Sequence, residues 1–160
     1  MGAVAAANQV LVVDDDEDFR ATLCELLEFE GYHPVGCRNG ETAWTQLACG
    51  LRPRVMVTDL ALPGLSGRQL VSRLREQTWG RRLPVLLLSG WGHADRLGVA
   101  ATVVLMKGGE PESIARAVDR LARWDVMGVA GELVRRPPLR ARPASRPRPL
   151  PAAQRGRAPV

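Results

Sequence analysis

Five short apolar runs, Val10–Val13, His33–Cys37, Val55–Thr58, Val85–Leu88 and Val103–Met106, recur along the chain with helix-patterned stretches between them. No other feature of the sequence constrains the fold as much. All but the second run are continuously apolar, the pattern of strands buried on both faces of a parallel sheet. The stretches between them repeat at helical period. Asp18–Glu30 places Phe19, Leu23, Leu26 and Leu27 on one stripe and stops at Gly31. Gly40–Cys49 carries Ala43, Leu47 and Ala48, and Ser66–Gln77 carries Leu70, Val71 and Leu74 behind Ser66 as N-cap. Pro111–Trp124 carries Ile114, Ala117, Val118 and Leu121, with proline in its first turn. A short helix is predicted over His93–Ala100. Alternating strands and helices give right-handed βαβ units and an open parallel sheet covered on both faces. Such sheets bind ligands beyond the carboxyl ends of their strands, where strand order reverses.

The residues at those strand ends form a polar set. Asp14, Asp15 and Asp16 follow the first strand, Asp59 the third, Ser89 the fourth and Lys107 the fifth. Carboxylates gathered in one pocket raise one another's pKa unless a cation intervenes. A hard divalent ion such as Mg²⁺ fits, because it takes carboxylate oxygens, water and phosphate. Asp59 is then the candidate nucleophile toward phosphorus, with Lys107 and the metal neutralising the equatorial phosphoryl oxygens. Ser89 could donate a hydrogen bond to one of those oxygens. Each residue also has a plain structural reading. Asp14 or Asp15 could cap the helix that follows, Asp16, Glu17 and Asp18 suit its first turn, Asp59 and Lys107 could be loop charges, and Ser89 a turn residue before Gly90. All of these holding together, each at a strand's carboxyl end, is the weaker reading.

Charge divides the chain unevenly. Residues 131–160 hold eight arginines and one acid, Glu132, whereas residues 1–130 hold fourteen basic and sixteen acidic side chains. The basic isoelectric point therefore belongs to the tail and says nothing of the body. Cys24, Cys37 and Cys49 show no CxxC spacing, and His33 and His93 lack ligand spacing to them, so no zinc site is expected. The three thiols read as buried or half-buried residues of a reducing compartment. The N-terminal stretch has no basic region of a targeting signal, and no apolar run is long enough to span a membrane. A cytoplasmic location is expected.

These residues resemble the receiver domain of bacterial two-component response regulators over roughly Gln9–Arg123. The resemblance rests on Val10–Asp18, Val57–Gly67 with its Pro63-Gly64, Pro84–Gly90 and Leu105–Lys107, in the family's order and separations. It implies a flavodoxin-like, doubly wound five-stranded parallel sheet of order 2-1-3-4-5. It also implies that Asp59 is the phospho-acceptor and that Asp14, Asp15, Asp59 and the backbone carbonyl of Ala61 hold Mg²⁺. By the same resemblance Ser89 is the switch hydroxyl and Lys107 the phosphate-pairing lysine. Three departures stand out. Gly108-Gly109 follows the lysine where the family usually has proline, which implies a looser loop. Val104 occupies the position of the family's usual strand-5 aromatic, so the usual hydroxyl–aromatic coupling cannot operate in its normal form. The stretch between Ser89 and Lys107 is also compressed, which weakens the helix it carries.

The expected organisation is an extension over residues 1–8, a receiver domain over 9–125 and a disordered Arg/Pro-rich tail over 126–160. Repeated proline and scarce apolar residues argue for disorder there, with no room for a DNA-reading module. Eight arginines could contact nucleic acid weakly and non-specifically, with marked salt dependence. The resemblance implies a stand-alone phosphorelay switch that takes its phosphoryl group from a sensor histidine kinase or phosphotransfer protein and signals to a downstream protein by a change of surface. The alternative is a receiver-fold scaffold that is not phosphorylated and whose basic tail contacts nucleic acid or an acidic partner. A metal-dependent phosphohydrolase with Asp14 and Asp16 as its acids is disfavoured by the agreement around Asp59, Pro63-Gly64 and Ser89.

Overall fold

The computed structural model describes residues 8–90 and 103–127, with side chains of the last helix as far as Arg123. The predicted helix His93–Ala100, Trp91 and the Arg/Pro tail beyond Met127 lie outside the described residues. The elements run β1 (Gln9–Val13), α1 (Glu17–Phe29), β2 (His33–Cys37), α2 (Gly40–Ala48), β3 (Val55–Asp59), α3 (Gly67–Glu76), β4 (Val85–Ser89), β5 (Val103–Met106) and α4 (Pro111–Met127). The described residues lie within the unit Met1–Ala130.

All five strands are parallel, in the order β2-β1-β3-β4-β5. The flavodoxin-like sheet is therefore the one expected. Continuous apolar strands follow from the pleat, because successive side chains point to opposite faces and both faces are covered. Val10 and Val12 of β1, Val55 and Val57 of β3, and Leu86 and Leu88 of β4 pack with Leu23, Leu27, Ile114, Val118 and Leu121 of α1 and α4. Leu11, Val13, Met56 and Val85 point the other way, onto Ala43, Leu47, Leu70, Val71 and Leu74 of α2 and α3. The run His33–Cys37 is less apolar because β2 is an edge strand, with only Cys37 fully buried.

The helix ends are chemically specified. Asp16 caps α1, its Oδ1 accepting the Phe19 N–H at 3.1 Å. This corrects the expectation of Asp14 or Asp15 as cap and of Asp16 as a first-turn residue, since Asp14 is drawn into the sheet end instead. Asn39 caps α2, and Ser66 opens α3 in a reciprocal capping box with Gln69. Gly31, at φ 86°, supplies the left-handed turn after α1.

Contacts far apart in sequence close the amino end of the sheet. The Tyr32 hydroxyl donates to Asp119 Oδ1 at 2.8 Å, and Arg54 donates to Asn8 Oδ1 at 3.2 Å and to the Ala122 carbonyl at 3.0 Å. The Arg52 guanidinium stacks 3.9 Å over the half-buried Trp79 ring. Cys37 is buried and Cys24 half-buried, but Cys49 is exposed. Cys49 is thus a correction: it caps the carboxyl end of α2 after the apolar stripe has ended. Among the described residues no helix is long and apolar enough to cross a membrane.

Candidate functional site

The carboxyl ends of β1, β3, β4 and β5 gather their polar residues at one edge of the sheet. The register sets Val13 beside Thr58, Asp59 beside Leu88 and Ser89 beside Met106. Asp14, one residue past β1, and Lys107, one past β5, therefore flank Asp59 from either side. Asp14 is 1% exposed, Asp59 4% and Ser89 2%, and with Thr58 they are the buried polar side chains among the described residues. Buried polar groups at one spot in an otherwise apolar sheet require local partners.

Lys107 supplies most of that partnership. Its ammonium lies 3.0 Å from Asp14 Oδ1 and hydrogen-bonds Asp59 Oδ2. Its own backbone N–H continues the ladder to the Ser89 carbonyl at 2.8 Å. Burial pulls the ammonium's pKa down, but the bonds to Asp59 and Asp14 outweigh it and hold the pKa above the ordinary lysine value. The Phe19 ring centroid lies 5.4 Å from the same nitrogen, within cation–π range.

The carboxylates are further oriented by backbone. Asp14 Oδ1 accepts the Asp16 N–H at 2.9 Å, and Asp59 Oδ1 accepts the Ala61 N–H at 2.9 Å. Arg20 of α1 reaches back and donates to the Asp14 carbonyl at 2.8 Å. One atom is left over: Asp14 Oδ2 is buried and has no hydrogen-bond partner. Burial raises the Asp14 carboxyl above its ordinary pKa, although Lys107 and the Asp16 N–H pull the other way. Asp14, Asp15 and Asp59 each offer a carboxylate oxygen within 4.8 Å of the others, Asp15 from the solvent side. An all-oxygen donor set with one buried orphan suits a hard divalent cation.

Asp14, Asp15, Asp59 and Lys107 thus converge as the sequence indicated, with Ala61 on the loop that orients Asp59. Ser89 stands at the adjacent strand end, but its hydroxyl donates to the Gly90 carbonyl at 3.0 Å. Phe19 and Arg20 support the site without having been singled out for it in the sequence. Their signal was a helix stripe and a first turn, which do not show that they face the pocket.

The response regulator receiver domain, as a family, matches residues 10–119. The chain is 36% identical over 90 residues to an uncharacterised 14.6 kDa protein of Leptolyngbya boryana, covering 56% of this chain and 68% of that protein. It is 33% identical over 89 residues to the phosphate regulon transcriptional regulatory protein PhoB of Escherichia coli, covering 56% of this chain. The match spans only 38% of PhoB's length. Among solved structures, the chemotaxis response regulator CheY4 of Vibrio cholerae superposes with a TM-score of 0.64 at 27% identity, over 71% of this chain and 97% of that one. The signal receiver domain of a histidine kinase from Syntrophus aciditrophicus gives 0.67 at 25% identity, over 79% and 96%. With five parallel strands in the order 2-1-3-4-5 and acids converging at their carboxyl ends, the chain belongs to the response regulator receiver domain family.

Proposed function

We propose that this chain is a phosphoryl-accepting switch in which Asp59 is the acceptor and a sensor histidine kinase or phosphotransfer protein is the donor. Receiver domains are signalling switches of two-component systems rather than ordinary enzymes. The observation that carries the finer reading is the buried Asp59 carboxylate, held between the Lys107 ammonium and the Ala61 N–H beside an unpartnered Asp14 oxygen.

A carboxylate oxygen of Asp59 attacks phosphorus while the P–N bond to the donor imidazole breaks. The bonding pair leaves with the imidazole nitrogen, and an acyl phosphate forms with no proton taken from Asp59. The Ala61 N–H and Lys107 fix the carboxylate before attack, which lowers the cost of orientation. Lys107, already placed between Asp14 and Asp59, redirects its ammonium to pair with the incoming phosphoryl oxygens. The Ser89 hydroxyl leaves the Gly90 carbonyl to donate to one of them. Asp14, Asp15, Asp59 and the Ala61 carbonyl would hold Mg²⁺, which supplies neutralisation of the phosphoryl charge. Repositioned Ser89 and Lys107 alter the surface near β5 and α4, where a downstream protein in the cytoplasm reads the change.

Incubation with Mg²⁺ and acetyl phosphate, followed by intact-mass measurement, tests this. The wild type is expected to gain one phosphate in a Mg²⁺-dependent manner, and Asp59→Asn none. Absence of an adduct on folded wild type, with no Mg²⁺ binding, would leave the receiver-fold scaffold as the reading.

A further inference from the structure

The loop from Leu60 to Ser66 connects Asp59 to α3 and carries Ala61. Its carboxyl end is fixed by close backbone contact: a Cβ at Gly67 would lie 2.0 Å from the Asp59 carbonyl oxygen, and the Gly67 N–H donates to the Leu60 carbonyl at 3.2 Å. Leu62 and Leu65 are buried against α2 and α3. One further polar anchor comes from another element. Glu41, in the first turn of α2, accepts the Leu65 N–H at 2.7 Å through Oε1.

The neighbouring glycines are shaped around that contact. A Cβ at Gly40 would meet the Leu65 carbonyl oxygen at 2.2 Å, so α2 begins in direct contact with the loop. A Cβ at Gly64 would lie 2.4 Å from Glu41 Oε1, and Gly64 has φ 72°, a region that favours glycine. Glu41 is solvent-exposed overall, so core packing does not account for its position.

We propose that Glu41 is a positioning residue for the pocket. Its carboxylate holds the Leu60–Ser66 loop against α2 and thereby fixes Ala61, whose N–H orients Asp59 and whose carbonyl is the backbone oxygen offered to the cation. The inference rests on the divalent-cation reading of the pocket and adds to it a residue that touches neither ion nor phosphoryl group.

The test uses three variants of the full chain, Glu41→Ala, Glu41→Gln and Glu41→Asp. Glutamine keeps the acceptor oxygen and the reach but not the charge, whereas aspartate keeps the charge and loses the reach. Positioning sorts the variants by reach; a through-space charge effect on the cation sorts them by charge. The first readout is amide hydrogen exchange at Leu65 and Ala61 in Mg²⁺-free protein. It is expected to speed up in the Ala and Asp variants and to stay near wild type in Gln. The second readout is Mg²⁺ affinity by calorimetry, expected to fall about fivefold in Ala and Asp and to recover in Gln. Urea midpoints, measured alongside, are expected to move little because the side chain is exposed. Wild-type affinity in the Ala variant, or an order that follows charge, overturns the positioning role while leaving the cation site standing. A wild type that binds no Mg²⁺ overturns the cation reading and this inference with it.

Discussion

Asp14 is the residue whose two roles oppose each other. Its Oδ1 is engaged by Lys107 and the Asp16 N–H, but its Oδ2 is buried without a partner, and burial pushes its carboxyl above the ordinary range. A raised carboxyl binds its proton more tightly in the folded chain than in the unfolded one. That stability is present at low pH and is lost as pH rises through the folded value. Asp14→Asn keeps an acceptor at Oδ1 and removes the buried charge. Urea unfolding without metal at neutral pH is expected to show the variant more stable by about 1 kcal/mol, while the stabilisation that Mg²⁺ gives the wild type disappears. Asp14, Asp59 and Lys107 were legible in the sequence because charges stand together at the carboxyl ends of several apolar strands, a coincidence that separate cap and loop readings explain poorly. Phe19, Arg20 and Glu41 were not. Each sits in a helix, and its contact with the pocket or with the loop beside it depends on side-chain reach across the chain.

The helices and strands fall within a residue or so of their expected bounds wherever a cap or stop marks them. Ser66 shows why: its hydroxyl accepts the Gln69 N–H at 3.3 Å, and the Gln69 side chain returns a bond to the Ser66 N–H at 3.0 Å. α3 contains the charged residues Arg68, Arg73, Arg75 and Glu76, so its end chemistry matters as much as its buried stripe. Ser66→Ala is expected to lower stability by about 1 kcal/mol in a urea titration, without abolishing folding. The last helix extends to Met127, beyond the expected Trp124, because no glycine or proline intervenes before that point. Pairing was less legible than element type. Alternation along the sequence gives parallel strands, but their order followed from family resemblance, since no local feature of β1 reveals that it lies between β2 and β3. The reading of three sheltered thiols failed at Cys49 because a helix pattern does not show where its apolar face ends.

At the scale of the whole molecule, residues distant in sequence fasten the end of the sheet opposite the acids. Tyr32, at the entry to β2, meets Asp119 of α4 across 87 positions. Burial and that carboxylate push the Tyr32 phenol up to about 12 from 10.0. The folded chain therefore keeps a proton that the unfolded chain releases, and the associated stability, about 2 kcal/mol, is intact below pH 10 and lost as pH climbs toward 12. Tyr32 is the sole tyrosine of the chain, so phenolate absorbance follows it alone. Titration is expected to give a midpoint near 12 in the folded protein and near 10 in denaturant. Tyr32→Phe is expected to lose this alkaline slope in stability. The sheet also divides the interior into two apolar compartments, one under α1 and α4 and one under α2 and α3. Substitutions in separate compartments share few partners and should combine additively. Over evolutionary time the two halves of the interior can drift on separate schedules. They meet at the acidic pocket, which one side reaches through Phe19 and Lys107 and the other through the loop that carries Leu62, Leu65 and Ala61. Inheritance of the switch thus binds together two lineages of packing that are otherwise free to diverge.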